Sequence, residues 1–449
     1  MTSSALTISR ILHAGYVFSC GDTRIAFDPI FENPFSRNCH AFPDMRFDAT
    51  QIRNERFDAV FISHFHDDHC SLDSLDLLDR ATPIYLYCLF DELFDMIRQL
   101  GFASVHPLAL NEPVKVGRIE IIPREAMDAD VDSMFQIRAA GLNVLNVVDS
   151  WIDETTLAPL VAEGPWDMVL WPFQTMRELD VLAPSRSPAE APALPDEWIP
   201  QLQALAPRHV VPSSCQFLQE PWSWYNHAFF PISYAQFARE VQAALPQAQV
   251  VRLNPGVSVR LDAAGLQPAP PLAWIEPVGD QDVDYVYEGN AARPSTADIA
   301  RHFAPLTPPQ FERVMAFCSN GILDKYGAVE AASDFFDVPR VWQLSIYDHA
   351  GNAAVFRYRL VPEERACLDP AAGPPHWTTE IPAAKLYAAL EEGESLTSMY
   401  MRINDTLFDA ATERELAQAD VVDDPLIRCL FSDTFGAYQA AQLRRLLAR

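Results

Sequence analysis

The sequence lacks the cysteine patterns that mark disulfide scaffolds and small zinc modules. Its eight cysteines are scattered, with neither a Cys-x-x-Cys pair nor zinc-ribbon spacing, which favours buried reduced thiols in a cytoplasmic protein. No Cys-x-x-His pair follows Cys39-His40, and this absence excludes a Rieske iron–sulfur cluster.

Hydrophobic segments that could enter a membrane are also missing. The amino terminus, MTSSALTISRIL, has no basic region followed by an apolar one, so we do not expect a secretory signal. No run of about 18 apolar residues occurs, so we expect no membrane span. Basic residues are few, 33 against 61 acidic ones for a formal net charge of −28. An acidic surface of this kind repels nucleic acid, which we therefore do not expect as a partner.

What the chain does contain is enough apolar sequence for two folded domains. Hydrophobic residues make up 49% of its 449 residues and charged residues 21%, a composition typical of globular proteins. Residues 1–262 alternate short β-type runs with helical stretches, which predicts an α/β domain. The Pro-rich stretch within 263–275 predicts an interdomain linker. Residues 276–449 then predict a smaller α+β domain that caps a substrate or mediates a homodimer.

Apolar periodicity and turn residues predict the individual elements. In the first domain the predicted strands cover 6–11, 15–20, 24–27, 57–62, 83–88, 119–123, 135–138, 143–148, 168–170 and 209–211, with a helix over 71–78. Strands are also expected within 250–261, and 183–200, rich in Pro, Ala and Ser, is expected to be a surface loop over the site. The second domain is predicted to contain a hairpin of 341–347 and 353–360, with helices within 381–392 and 425–447.

The clearest chemical signal is His64-Phe65-His66-Asp67-Asp68-His69, which directly follows the apolar run 57–62. Such a run predicts a buried strand, which delivers the residues after it to one edge of a sheet. This density of imidazoles and carboxylates at a strand end is hard to explain structurally. The spacing predicts two adjacent divalent metal ions, with His64 and His66 on one ion and Asp68 and His69 on the other.

With this motif the chain resembles the metallo-β-lactamase superfamily, in particular the branch of the UlaG-like lactonases and the N-acylphosphatidylethanolamine phospholipases. The matching residues are His13-Ala14-Gly15, Asp28-Pro29, the block from His64 to His69, and Val147-Val148-Asp149, within about residues 5–260. The resemblance implies a four-layer αβ/βα sandwich with two metal ions at one edge. It also implies that Asp149 is the carboxylate that bridges both ions.

Two histidines that hydrolytic members of this superfamily supply are missing from their expected places. Before the bridging aspartate the sequence offers no histidine, and Glu125 stands at about the expected place, with Asp128 as a second choice. After the late strand, Val211-Pro212 leads to Ser214 instead of a histidine. His227 could fold back as a ligand, or lie at the surface, or contact the substrate.

Carboxylates in place of imidazoles make the site richer in oxygen, which suits iron or manganese better than zinc. A glutamate at the third ligand position also resembles the diiron β-hydroxylases of natural-product biosynthesis. The stretch 395–447 weakly resembles the end of the CMP-sialic acid hydroxylase family, without that family's Rieske domain. One interpretation is therefore a non-haem diiron oxygenase that hydroxylates or N-oxygenates a small molecule, with electrons from an external donor.

A second interpretation is a zinc- or manganese-dependent hydrolase of an ester, lactone or phosphodiester. In this enzyme a bridging hydroxide attacks the substrate, and Asp67 or Asp68 accepts a proton. A third interpretation is a degenerate scaffold that binds a ligand or a partner without catalysis. The intact block from His64 to His69 argues against the third.

Aromatic residues crowd the loop after the late strand. In the fold implied by the resemblance this loop overhangs the metal cleft. Trp222, Trp224 and Tyr225 are therefore candidates to line an apolar substrate pocket. The alternative is that these rings pack the interface between the two domains.

Overall fold

Two β-sheets face each other in the amino-terminal region of the protein. The computed structural model describes residues 5–187, 191–328, 334–361, 366–431 and 435–449. The strands of this region are β1 (Ala5–Arg10), β2 (Tyr16–Cys20), β3 (Thr23–Phe27), β4 (His40–Ala41), β5 (Met45–Phe47), β6 (Ala59–Ile62), β7 (Ile84–Leu86), β8 (Val105–Pro107), β9 (Val114–Val116), β10 (Ile119–Glu125), β11 (Ser133–Ala139), β12 (Leu142–Asn146), β13 (Met168–Trp171), β14 (His209–Pro212), β15 (Phe217–Leu218), β16 (Gln249–Val250), β17 (Ser258–Asp262), β18 (Gly265–Ala269) and β19 (Ile275–Pro277).

Each of the two large sheets is antiparallel in one half and parallel in the other. The first has eight strands in the order β18-β17-β1-β2-β3-β6-β7-β8, and the second has seven in the order β16-β14-β13-β12-β11-β10-β9. The run from β3 to β8 is parallel, as is the run from β12 to β16. Parallel neighbours end at the same edge, so each sheet presents the loops after these strands on one side.

An aromatic core fills the space between the two sheets. Phe18 and Phe27 of the first sheet have ring centroids 5.2 Å apart, and Phe27 lies at the same distance from Phe135 of the second sheet. All four residues of β6 are buried, because Phe61 faces this core while Val60 belongs to the cluster on the outer face. The continuous apolar run that predicted β6 reflects this burial on both faces.

Helices cover the outer faces of both sheets. They are α1 (Ala49–Asn54), α2 (Leu72–Leu75), α3 (Asp91–Gln99), α4 (Glu154–Ala162), α5 (Glu178–Leu182), α6 (Trp198–Leu205), α7 (Tyr225–Ala228) and α8 (Tyr234–Ala244). Val60 of β6 shares a hydrophobic cluster with Leu93 of α3, and Trp171 of β13 packs edge-to-face on Trp198 of α6. The order helix, sheet, sheet, helix confirms the predicted four-layer α/β sandwich.

The stretch 263–275, predicted as a linker, instead forms strands that complete the amino-terminal region, the first region of the protein. β18 extends the eight-stranded sheet by pairing antiparallel with β17, and β19 pairs with β5. Further along, Tyr285 is buried against Phe230. Pro268 is tolerated in β18 because an edge strand needs backbone partners on one side only. The first region therefore extends beyond residue 262 to at least Tyr285.

The carboxyl-terminal region is built on a separate five-stranded sheet, ordered β22-β21-β20-β23-β24. Its strands are β20 (Arg340–Tyr347), β21 (Ala353–Leu360), β22 (Cys367–Leu368), β23 (Trp377–Pro382) and β24 (Arg402–Ile403). Its helices are α9 (Thr296–Ala300), α10 (Pro308–Ala316), α11 (Ile322–Tyr326), α12 (Ala383–Glu392), α13 (Ala410–Leu416), α14 (Pro425–Phe431) and α15 (Ala437–Leu447). The predicted hairpin is present as β20 and β21, with Tyr347 opposite Ala353. The homodimer expected for this region stays a prediction.

Two predicted helical segments differ in extent. Within 381–392 the helix starts only after β23 ends, and 425–447 forms two helices, α14 and α15, instead of one. Gly436 precedes α15 with a φ of 63°, which glycine adopts without strain. Part of the predicted loop 183–200, residues 188–190, lies outside the described residues. Next to these residues, the side chain of Arg186 donates a hydrogen bond to the backbone carbonyl of Asn404. This bond connects the loop to the carboxyl-terminal region, the second region of the protein.

No helix in the described ranges is both long and apolar enough to cross a membrane.

A buried carboxylate organises the core of the second region. Asp424 accepts hydrogen bonds from Nε1 of Trp377 over 2.7 Å, from the hydroxyl of Thr379, and from the amides of Leu426 over 2.9 Å and Ile427 over 3.2 Å. Burial nevertheless raises the pKa of Asp424 to about 6, from an ordinary value of 3.8. The folded protein thus holds this proton more tightly than the unfolded chain does.

The contribution of Asp424 to stability is therefore largest below about pH 4 and declines as the pH rises to about 6. We expect the difference in unfolding free energy between the wild type and Asp424→Asn to fall by about 3 kcal/mol over this range, and to stay constant above it. Urea denaturation of both proteins across this pH range measures the difference. A difference that does not change with pH would contradict the raised pKa.

Candidate metal centre

Loops from both sheets converge at one edge of the sandwich. His64 follows β6, Asp149 follows β12, and Asp132 directly precedes β11. The hydroxyl of Ser133 donates to the carbonyl of Ser63 over 2.8 Å, which brings the start of β11 to the loop after β6. Side chains that are distant in the sequence thus meet at this edge.

The first group of candidate ligands comprises His64, His66 and Asp132. Nε2 of His64 lies 2.9 Å from Nδ1 of His66 and 3.8 Å from Oδ1 of Asp132. The potential ligand atoms of this group all lie within 4.8 Å of one another. His64 is buried and His66 is exposed, so His66 marks the solvent side of the group.

The second group comprises His13, Asp68, His69 and Asp149. Nε2 of His69 lies 3.0 Å from Oδ2 of Asp149 and 3.8 Å from Oδ2 of Asp68. The ring centroids of His64 and His69 are 4.0 Å apart, so the two groups are adjacent. The motif is divided between them in the way that its spacing predicted.

Hydrogen bonds to Nδ1 of His64 and of His69 determine which ring nitrogen of each histidine is free to bind a metal ion. Asp28 lies 3.0 Å from Nδ1 of His69 and accepts from both the amide and the hydroxyl of Ser63 over 2.7 Å. The Ser63 hydroxyl oxygen also lies 2.9 Å from Nδ1 of His64. Because the hydroxyl proton is donated to Asp28, Nδ1 of His64 is the donor of this second hydrogen bond. In the neutral rings Nε2 of both histidines therefore carries the lone pair that a metal ion needs.

His13 has the opposite tautomer. The amide of Cys215 donates to Nδ1 of His13 over 3.1 Å, so the proton of the neutral ring is on Nε2, 3.0 Å from Oδ2 of Asp68. This Nε2 can donate a hydrogen bond to Asp68, but it cannot coordinate a metal ion without losing its proton. We therefore treat His13 as a hydrogen-bond donor, and Asp68, His69 and Asp149 as the candidate ligands of the second group.

Several residues at this edge have a left-handed backbone conformation, with positive φ angles. The φ angle is 51° at His13, 39° at Asp28, 65° at Val148 and 57° at Cys215. Residues other than glycine rarely adopt such angles, and a β-branched residue such as Val148 is a clear outlier. Gly15 approaches Asp28 so closely that a Cβ would lie 2.7 Å from its carbonyl oxygen. Strain gathered around one edge is typical of a functional site.

Electrostatic effects distinguish the ligands. Burial, reinforced by repulsion from His69, holds the pKa of His64 well below its usual range. Burial alone would lower the pKa of His69 as well, but Asp149 and Asp68 outweigh it and raise that pKa well above its usual range. Burial, reinforced by Asp149, raises the pKa of Asp132 to about 7. Near neutral pH the metal-free site thus holds protons that a bound metal ion displaces.

Two predicted ligands lie outside both groups. Glu125 is the last residue of β10 and its side chain is exposed, as is that of Asp128 in the following loop. Asp132 stands at the other end of that loop, because the antiparallel pairing of β10 with β11 places both loop ends at the same edge. His227 lies on α7 with 49% of its side chain exposed, and its Nδ1 is 3.3 Å from the carbonyl of Val286.

Asp132 and His13 are the residues that the motif did not indicate as site residues. Asp132 had a weak local signal, since it is an acidic residue just before a predicted strand, but it stands closer to Asp149 than the expected ligand positions at Glu125 and Asp128. His13 was part of the resemblance, but its tautomer depends on the amide of Cys215, which is far from it in the sequence.

Asp67, in the ligand loop 64–69, and Ser214, after β14, have buried oxygen atoms. Burial, reinforced by Asp68, raises the pKa of Asp67 to about 8. Oδ2 of Asp67 and the hydroxyl of Ser214 have no hydrogen-bond partner within the described ranges. Asp67, predicted with Asp68 as a catalytic carboxylate, therefore holds a proton near neutral pH that it can release.

The aromatic residues of the late loop pack between the two regions. Trp222 stacks on His302, with ring centroids 4.1 Å apart and an angle of 2° between the planes. Tyr225 packs on Tyr400 at 4.7 Å, and Trp224 is buried. His302 and Tyr400 belong to the second region, so these contacts agree with the interface alternative. A role of the three rings in substrate binding stays a prediction.

The donor set fits two divalent cations. The first group offers two imidazoles and one carboxylate, and the second, without His13, offers one imidazole and two carboxylates. Mixed nitrogen and oxygen donors of this kind suit iron, manganese or zinc, and two imidazoles with one carboxylate is the set of many non-haem iron oxygenases. Oδ1 of Asp132 is buried and has no hydrogen-bond partner in the part of the chain described, as expected of an oxygen that binds a cation.

The substitution Asp28→Asn should weaken metal binding. The side-chain amide of asparagine has one acceptor oxygen, so it cannot accept all the hydrogen bonds that the Asp28 carboxylate accepts from Ser63 and His69. We expect the affinity for Zn²⁺ to fall by about 10- to 100-fold, measured by competition with a chromophoric chelator. The control is Asp58→Asn, since Asp58 is an exposed residue that accepts a hydrogen bond from the amide of Arg24. Equal affinities of Asp28→Asn and the wild type would contradict the role of Asp28.

No family model matches the chain. Among curated proteins it is similar to cytidine monophosphate-N-acetylneuraminic acid hydroxylase of Danio rerio, with 26% identity over 157 residues, 33% of this chain and 26% of that protein. The protein of the same name from Sus scrofa is 28% identical over 145 residues, 30% of this chain and 33% of that protein. The matches thus span a third or less of the length of these relatives.

Solved structures that resemble the protein include Igni18, a metallo hydrolase of Ignicoccus hospitalis. Its TM-score is 0.39 at 18% identity, over 57% of this chain and 99% of that one. CmlA, a diiron β-hydroxylase of Streptomyces venezuelae, has a TM-score of 0.38 at 17% identity, over 59% of this chain and 54% of that one. The two facing mixed sheets, with the block from His64 to His69 at their edge, confirm the resemblance to the metallo-β-lactamase superfamily that the motif indicated.

Proposed function

We propose that the protein is a dinuclear non-haem iron oxygenase that hydroxylates or N-oxygenates a small molecule. The observation that carries this proposal is Asp132, a carboxylate that lies with His64 and His66, whereas hydrolytic members of the superfamily supply a third histidine. The tautomer of His13 leaves His69 as the single imidazole of the second group. The site is thus rich in oxygen donors, which favours iron. The two curated relatives are named as hydroxylases, which agrees with this reaction class.

The reaction needs a reductant besides O₂. One oxygen atom enters a C–H or N–H bond of the substrate, and the other leaves as water with two protons and two electrons. Two bound iron ions would supply the binding and reduction of O₂, which the side chains cannot perform. The sequence has no Rieske pair of Cys-x-x-His motifs, so we infer that an external donor supplies the electrons.

Protein side chains hold and move protons at this centre. Ser63 and Asp28 orient the rings of His64 and His69. Asp67 keeps a proton near neutral pH beside the candidate ligand Asp68, so it would be available as a general acid. The role predicted for Asp67 as a catalytic carboxylate is retained in this proposal.

Exposed apolar side chains border the centre. Met127 and Trp151, 55% and 37% exposed, lie on the loops that carry Asp132 and Asp149, and the amide of Met127 donates to the carbonyl of Trp151 over 2.8 Å. Phe90, 41% exposed, packs near Phe65 of the ligand loop. These side chains offer apolar contacts to a substrate beside the candidate ligands.

A second candidate function is a zinc- or manganese-dependent hydrolase of an ester, lactone or phosphodiester. The observation that favours it is the combination of two adjacent metal groups with Asp67, whose pKa of about 8 suits proton transfer near neutral pH. The same assembled donors argue against a degenerate scaffold.

Metal analysis of protein produced with iron and zinc both available separates the two functions. For the oxygenase we expect two iron ions per chain and O₂ uptake after chemical reduction. Stoichiometric zinc together with turnover of a lactone or phosphodiester would overturn the oxygenase and support the hydrolase.

Asp132→His tests the residue that carries the proposal. An imidazole at this position should shift the site from iron towards zinc, and we expect O₂ uptake to fall by about 10-fold or more. The matched control is Asp128→Asn, an exposed carboxylate of the same loop, which should change neither the metal content nor the uptake. Wild-type O₂ uptake in a folded Asp132→His variant would contradict the assigned role.

A further inference from the structure

The helix α15, near the carboxyl end of the chain, packs on the loop that carries the metal-binding motif. Nε2 of Gln439 donates to the carbonyl of Phe65 over 2.9 Å and to the carbonyl of Cys70 over 2.8 Å. These two carbonyls lie near the two ends of the ligand loop 64–69. A single amide group from the second region therefore joins both ends of the loop.

The contact between α15 and the loop is buried and its polar groups are matched. Gln439 is 2% exposed and Gln442, nearly one turn later, is 1% exposed. Gln442 accepts from the amide of Leu72 over 2.7 Å and donates to the hydroxyl of Ser71 over 2.8 Å. Buried carbonyls and amides are costly when unpaired, so these glutamines satisfy groups that the loop itself leaves open.

The position of α15 is fixed by its surroundings. A Cβ at Gly393, the residue after α12, would lie 2.3 Å from the amide nitrogen of Tyr438, so only glycine allows this approach. Before the helix, Phe435 stacks on Phe90 at 4.1 Å and packs on Phe65 at 4.7 Å. These contacts hold Gln439 over the ligand loop from two sides.

His66 depends on this contact more than the other histidines of the motif. His64 and His69 are held from behind by Ser63 and Asp28. The ring of His66 is hydrogen-bonded, among the residues described, to His64 alone, and that bond joins two candidate ligand atoms. The backbone on the amino-terminal side of His66 is the Phe65 peptide, whose carbonyl Gln439 holds.

We propose that Gln439 is a positioning residue that fixes His66 through the Phe65 carbonyl, and thereby sets the affinity of the first group for its metal ion. This inference rests on the proposed two-metal function. It assigns to the second region a task in metal binding, in addition to any contact with a substrate. Supporting groups of this kind affect metal affinity by about 10- to 100-fold.

The test titrates the metal-free full chain with Zn²⁺ in competition with a chromophoric chelator, which separates the two binding constants. Gln439→Glu keeps the shape of the side chain but places an oxygen against the two carbonyls. We expect one binding constant to fall by about 10-fold or more and the other to keep its wild-type value. In a His66→Ala background the same substitution should have no further effect, because the ligand that it positions is absent.

Arg445→Ala is the control on the same helix. It removes an ion pair with Asp73, which lies in α2, without touching the ligand loop, and both constants should keep their wild-type values. Gln439→Met removes the donor without adding charge and serves if Gln439→Glu does not fold, as judged by circular dichroism and thermal unfolding.

Four outcomes would overturn the inference alone. They are unchanged constants in a folded Gln439 variant, an equal fall in both constants, a full effect that persists in the His66→Ala background, and failure of both Gln439 variants to fold. A wild-type protein that binds fewer than two ions would instead overturn the proposed function, so the two failures are distinguishable.

Discussion

The charge balance between His69 and the carboxylates of Asp68 and Asp149 is the interaction on which the metal centre depends. Carboxylates gathered at a largely buried edge need a compensating positive charge. In the metal-free protein the proton on His69 supplies it, and His69 holds the pKa values of Asp68 and Asp149 below their usual range although burial opposes this. A divalent ion supplies the same charge, so metal ions and protons compete for one position.

The second region supports this centre as part of one structure. Arg37 of the first region pairs with Glu394 of the second over 2.6 Å, and Lys385 lies 2.9 Å from the same carboxylate. Trp222 stacks on His302 across the same boundary. Together with the contact of α15 on the ligand loop, these interactions pack the second region against the sandwich.

Predictions from the sequence succeeded where neighbours in the sequence are also neighbours in space. The block from His64 to His69 follows a buried strand, and its spacing predicted how its own four candidate ligands divide between the two groups. Asp149 was indicated by the resemblance and lies beside His69. The stretch 263–275 was predicted as a linker because Pro268 suggested a break in regular structure. The structure shows an edge strand there instead, and an edge strand accommodates a proline.

The sequence alone was enough for the α/β alternation, which apolar periodicity indicates, and for the compact motif, whose resemblance to a known superfamily implied a four-layer sandwich with metal ions at one edge. Periodicity and motif are both local properties of the chain. Only the tertiary structure decided which carboxylate completes the first group and what His13 can do. Asp132 replaces Glu125 because an antiparallel turn brings both ends of one loop to the same edge. The amide of Cys215 donates a hydrogen bond to Nδ1 of His13, so the proton of the neutral ring is on Nε2. Only folding brings Cys215 within hydrogen-bond distance of His13.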